Sequence, residues 1–144
     1  MGRIYANILA DRCLIEPLLT DVDGRVVRCR MHDILRGLAI QIGEQEEKLY
    51  CGAGNGLTDQ LVENEYSECT RLFLNDNKLS SLPNSFTTPE IFSLLIAGNN
   101  FTKIPRKAIG NMRSLKVLDL SGNDMESLPK SLGSLKQLVS LHLH

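Results

Sequence analysis

Four segments in the second half of the chain fall into one register: CTRLFLNDNKLSSLP from Cys69, IFSLLIAGNNFTKIP from Ile91, LKVLDLSGNDMESLP from Leu115 and LVSLHLH from Leu138. They share the pattern L-x-x-L-x-L-x-x-N-x-L-x-x-L-P, with asparagines at Asn77, Asn99 and Asn123, and the fourth segment stops before its own asparagine. A repeat of this period narrows the fold sharply. One unit cannot bury its apolar face alone, so successive units have to stack and share a continuous core.

The pattern is that of a leucine-rich repeat. Leu72 and Leu74, Leu94 and Ile96, Leu118 and Leu120, and Leu141 and Leu143 each alternate with one other residue. Each pair therefore points one way from a short strand into a common core, and the stacked strands form a parallel sheet. Where a strand ends the chain must turn, and the asparagine amide, with donors and an acceptor, can satisfy the backbone groups of that turn. Leu82-Pro83, Ile104-Pro105 and Leu128-Pro129 close the convex side, with proline where no ladder amide is needed. The interleaved residues face outward on the concave surface, where solenoids usually receive partners. The candidate protein-binding residues are Phe73, Asn75, Leu95, Ala97, Asp119, Ser121, His142 and His144, with Phe73 and Leu95 an apolar pair in successive repeats. The plainer alternative is a row of solvated strand residues.

The first half has a different grammar. IYANILAD, 4–11, places Ile4, Ile8 and Leu9 on one helical face. CLIEPLL, 13–19, and RVVRCRM, 25–31, are expected as strands joined through TDVDG, with Asp23-Gly24 as the turn. Val27, Cys29 and Met31 share one face of the second strand; Val26, Arg28 and Arg30 share the other. A helix follows, with Asp33 expected to cap it, Leu35, Leu38, Ala39 and Ile42 as its buried stripe, and Gly43 at its end. Helix, hairpin, helix is the latter part of a winged-helix unit. The expected fold is therefore α+β: a partial winged-helix unit over 1–45, an acidic linker over 46–68, and a short leucine-rich-repeat solenoid with a parallel sheet over 69–144, three repeats plus a truncated fourth. Within the linker, GAGNG at 52–56 is expected to be flexible.

Charge and motif content exclude several functions. The formal net charge is −1, and although Arg25, Arg28 and Arg30 lie along the expected wing, residues 1–43 net only +1, too small a cation surplus to favour DNA. Cys13, Cys29, Cys51 and Cys69 never reach C-x-x-C spacing and the histidines complete no zinc pattern, so the cysteines are expected as reduced thiols and no metal is expected. Arg3, Asp11 and Arg12 interrupt any signal-peptide core, and no apolar run approaches the roughly 18 residues of a membrane span, so the expected location is cytoplasmic. There is no G-x-S-x-G or H-E-x-x-H, and Glu44, Glu46 and Glu47 form a solvated acidic end after a helix. A catalytic role is not expected.

DGRVVRCRMHDILRGLAIQIG, followed by the acidic stretch and the repeats, resembles the nucleotide-binding leucine-rich-repeat resistance proteins of plants, which are intracellular immune receptors. Met31-His32-Asp33 matches that family's Met-His-Asp motif at the end of its winged-helix subdomain. MESLPKSLGSLKQL is similar to its cytoplasmic repeat type, LxxLPxxLGxLxxL, departing where Met125 replaces leucine. The resemblance implies a role in defence signalling, with His32 set against the ADP diphosphate and Asp33 supporting the local backbone. Nothing here is similar to the phosphate loop GxxxxGK[ST], so no cofactor is expected in this chain alone; ADP or ATP would belong to a complete family member, with the nucleotide-binding domain of a parent receptor as a partner. The last strand, LVSLHLH, would leave an uncovered core, and the first helix would lack the start of a winged helix, so a fragment is expected. The alternative is a freestanding repeat adaptor that binds protein without nucleotide.

Overall fold

The structure is a computed structural model that describes all residues except 1, 47, 59, 60, 62–65, 84, 85, 87 and 144. The chain forms two compact units, Met1–Ile42 and Gly43–His144.

In the first unit, helix α1 (Gly2–Asp11) precedes an antiparallel hairpin of β1 (Ile15–Thr20) and β2 (Val26–Met31). Asp21 builds the turn: its carboxylate accepts the amides of Asp23 at 3.0 Å and Arg25 at 2.9 Å, and its carbonyl accepts that of Gly24 at 3.0 Å. Gly24 sits at φ +73°, which a residue with a Cβ rarely adopts. Asn7 fastens α1 to the hairpin, accepting the Val26 amide at 3.0 Å.

Helix α2 (Asp33–Glu46) follows, and here the structure departs from the sequence pattern. The stripe expected to be buried is not: Leu38 and Ile42 are 51% and 45% exposed, Ala39 is exposed and Leu35 half-buried. Periodicity identifies residues that share a face; whether that face is covered depends on neighbours outside the segment. Ile8, on the apolar face of α1 that the sequence marks, is likewise exposed. Asp33 lies in the first turn of α2, while the carbonyl of His32 accepts the first helical bond, from the Arg36 amide at 2.8 Å. The acid thus acts on the positive end of the helix from inside its first turn. Gly43 does not end α2; a Cβ there would stand 2.5 Å from Leu49 Cδ2, so it lets the chain pack closely against the next strand.

The second unit carries a five-stranded parallel sheet in sequential order, β3 (Leu49–Cys51), β4 (Arg71–Phe73), β5 (Ser93–Leu95), β6 (Val117–Asp119) and β7 (Ser140–His142). Helix α3 (Arg106–Asn111) starts after Pro105, and a 3-10 turn (Lys130–Ser134) starts after Pro129, where a residue without an amide proton costs nothing. Leu72, Leu94 and Leu118 are paired in register and fully buried, as are Leu74 and Ile96. Leu141 and Leu143, expected to point into the same core, are 38% and 44% exposed. Phe86, Phe101, Ile109, Met112 and Leu115 fill the rest of the core, and Tyr66 stacks on Phe86 with ring centres 5.1 Å apart.

Strand β3 lies inside the stretch expected to be linker. It pairs Leu49, Tyr50 and Cys51 with Arg71, Leu72 and Phe73, so Tyr50 and Gly52 stand where later repeats carry leucine or isoleucine. Gly52 is buried; a Cβ there would lie 2.9 Å from Leu57 Cδ1 and 3.0 Å from Tyr50 Cε1, so these larger side chains occupy the missing leucine's space. The GAGNG stretch is an ordinary repeat turn. Gly54, Asp76, Gly98 and Gly122 occupy equivalent positions and all have left-handed φ, between +55° and +70°.

Candidate functional site

Two places were expected to carry function: the outer face of the repeat sheet and the Met-His-Asp junction. They lie in different units.

The strand registers turn the outward residues into columns. Cys51, Phe73, Leu95, Asp119 and His142 are Cα partners in one column; Leu49, Arg71, Ser93, Val117 and Ser140 form the column beside it. Phe73 and Leu95 are half-buried neighbours, as expected for an apolar pair on this face. Asp119 and His142 continue the same column, with Asp119 Oδ2 3.6 Å from His142 Nδ1. Cys51 heads it, and its place was hidden with that of β3.

The third row is occupied differently. Asn75 is turned to the fold, its Oδ1 accepting the Ala97 amide at 3.0 Å. Ser121 holds Asp119, with its hydroxyl donating to Oδ1 at 2.5 Å and its amide donating to the same oxygen at 3.0 Å. His144 lies outside the described residues. Burial alone would raise the Asp119 pKa, but the two Ser121 donors and the neighbouring His142 outweigh it and hold the carboxyl below its usual value.

Ser140, His142 and Asp119 stand in the order of a proton relay, with Ser140 Oγ 3.1 Å from His142 Nε2. The separation to Asp119 exceeds a hydrogen bond, and the imidazole is 56% exposed. Water at that exposure removes the desolvation such a relay depends on. Cys69, the buried thiol, is pushed up in pKa by burial and then by Glu44 and Glu68, which makes it a poor nucleophile.

The Met-His-Asp junction borders a cavity of about 610 Å³ lined by residues from Ala10 to Pro17 and from Arg30 to Asp33. His32 and Arg30 offer nitrogen donors to it, but Glu16 pairs with Arg30 at 2.6 Å, and Glu16 and Asp33 put carboxylates on the same walls. These residues do not fit a nucleotide by themselves, because a diphosphate needs convergent backbone amides and an unpaired cation. They form one wall of a site at most.

Among the described residues no helix is long and apolar enough to cross a membrane, and no group of three His, Cys, Asp or Glu could hold a metal ion.

Residues 89–144 match the leucine rich repeat family. The disease resistance protein UNI of Arabidopsis thaliana is 33% identical over 144 residues, covering 80% of this chain and 16% of its own length. A probable disease resistance protein of the same plant is 35% identical over 149 residues, covering 99% of this chain and 16% of its own length. Disease resistance protein RPS5, also from Arabidopsis thaliana, is 28% identical over 131 residues, covering 88% of this chain and 15% of its own length. The chain thus spans about 16% of the length of the curated relatives it matches.

Proposed function

Since the chain belongs to the leucine-rich-repeat disease resistance proteins of plants, we propose that it serves plant defence signalling as a non-enzymatic, cytoplasmic recognition module. Its repeat sheet binds protein, and its Met-His-Asp segment contributes to nucleotide sensing in a complete receptor. The observation that carries the recognition role is the in-register column of Phe73, Leu95, Asp119 and His142 on the outer face. Apolar and charged groups placed side by side on a rigid sheet supply affinity and selectivity together.

The sensing role is supported by the cavity where β2 meets α2, with His32 and Arg30 on its wall. In this reading α1, the hairpin and α2 are the latter part of a winged helix. A nucleotide-binding domain supplies the phosphate cradle, and His32 donates to a phosphate oxygen while Asp33 holds the first turn of α2. ADP and ATP would then be distinguished at that imidazole.

Calorimetry tests both halves. The chain alone should not bind ADP; joined to a nucleotide-binding module of the family it should bind in a way that His32→Ala weakens. Equal affinity after His32→Ala removes the histidine from sensing. The rival reading, a repeat adaptor without nucleotide, predicts no ADP binding in the joined protein, with partner capture still lost in Leu95→Asp.

A further inference from the structure

The outer column has an order that a merely solvated sheet face would not need. Its central part is apolar, with Phe73 and Leu95 adjacent and Val117 diagonal to Leu95; the next residue in the column is acidic. Oδ1 of Asp119 is engaged by Ser121, which leaves Oδ2 as the oxygen on the side of His142. Of the cations close to the face in sequence, Lys116 has its Nζ over the Phe92 ring at 4.6 Å, and Arg71 stands in the adjacent column, paired in register with Ser93 and two strands from Asp119.

We infer that this face receives an amphipathic helix of a partner protein, laid across the strands, with two apolar side chains on Phe73 and Leu95 and a lysine or arginine on Asp119. The inference rests on the recognition role proposed above and names the partner's chemistry.

Two arguments favour a helix over an extended segment. The amides and carbonyls of β4, β5 and β6 are paired within the parallel ladder, so a strand lying on the face would find no backbone partners and would lose water from its own polar groups. A helix arrives with its backbone satisfied internally. Spacing agrees: partners in adjacent strands are about 4.8 Å apart, which places Leu95 and Asp119 about 4.8 and 9.6 Å from Phe73. Helix positions i, i+3 and i+7 advance by about 4.5 and 10.5 Å, whereas alternate residues of an extended chain are roughly 6.7 Å apart and drift out of step by the second contact. Charge complementarity supplies the basic residue, since an apolar third side chain would strip water from the Asp119 carboxylate without replacing its interactions.

The test uses the full chain and three 14-residue probes: an alanine-based helix with leucines at i and i+3 and lysine at i+7, the same helix with glutamate for lysine, and a proline-interrupted version of the first. Titrations are read by fluorescence anisotropy and by methyl shifts of Leu95 and Val117. The lysine helix should bind about tenfold tighter than the glutamate helix, and Phe73→Ala should weaken it by a similar factor. Asp119→Asn should bring the two helices within about twofold, and Asp119→Lys should reverse their order. Circular dichroism of each variant separates lost contact from lost fold, and comparing probes on the unmodified chain needs no variant at all. Equal binding of the two charged helices, tighter binding of the proline probe, or no binding by any probe overturns the inference. If the proline probe shifts Leu95 and Val117, the face still recognises protein and only the partner class falls.

Discussion

The side chain of Asn99 donates to the carbonyl oxygen of Leu74 at 2.9 Å, across 25 residues of sequence, and the Leu79 amide donates back to its Oδ1 at 3.1 Å. Asn77 does the same toward Gly52 and Leu57, and Asn123 toward Ile96 and Phe101. Each asparagine also donates to carbonyls of its own turn. The three amides therefore join successive repeats as well as closing their own.

Asn99→Ala should lower stability by on the order of 3 kcal/mol, since a buried amide and carbonyls lose their partner. Asn123→Ala should cost less, because Asn123 is only half-buried and water can replace part of the loss. Urea unfolding of the two variants checks the order.

Gly54 and Gly98 share the left-handed conformation, at φ +70° and +62°, but differ in surroundings. A Cβ at Gly54 meets nothing within 4 Å, while one at Gly98 would stand 2.5 Å from Asp76 Oδ1. Gly54→Ala should cost only the conformational strain, about 1–2 kcal/mol. Gly98→Ala should cost more, and Asp76→Gly in the same chain, which removes the carboxylate without placing an alanine at the left-handed φ of +55°, should recover the difference. Thermal melts of the three variants measure it.

Restoring the repeat consensus at residue 52 should harm the fold. Tyr50, Leu57 and Leu74 already lie within 3.3 Å of where a Cβ would be, so Gly52→Leu overfills the first repeat and should cost roughly 1–3 kcal/mol. A variant of equal or greater stability in urea would contradict this packing.

Asp119 links stability to acid. Its pKa is lowered in the folded chain, so its contribution is fully present above the unfolded value near 4 and is lost as pH falls through the folded value. At neutral pH Asp119→Asn should be less stable than the unmodified chain, and the gap should close in strong acid. Unfolding free energies measured from pH 7 to pH 2 test the sign.

The parts legible from sequence were those where one residue type recurs for one physical reason. Leu72, Leu94 and Leu118 repeat because each fills the same buried position, and Asn77, Asn99 and Asn123 because each closes the same turn. Strand β3 was missed because Tyr50 and Gly52 solve the packing together, one oversized and one absent, which no single-position pattern detects. A trace remained: Gly54-Asn55 repeats the Gly-Asn pairs at 98–99 and 122–123, and the left-handed turn they share carried the missing register. The stripe of α2 was legible as a set and misleading as a location, since Leu38 and Ile42 share a face that nothing in their own segment covers. On the outer face, the chain order identified Phe73, Leu95, Asp119 and His142, whereas the inward turn of Asn75 required its hydrogen bond to Ala97 to be seen.

The backward reach of the asparagines gives the solenoid a direction in time. A coil emerging from a ribosome can close its turn with its own asparagine, but the second donor to its carbonyl arrives only with the asparagine of the coil behind. Each newly made coil therefore tightens the one made before it, and the order of synthesis is the order in which the turns gain their second bond.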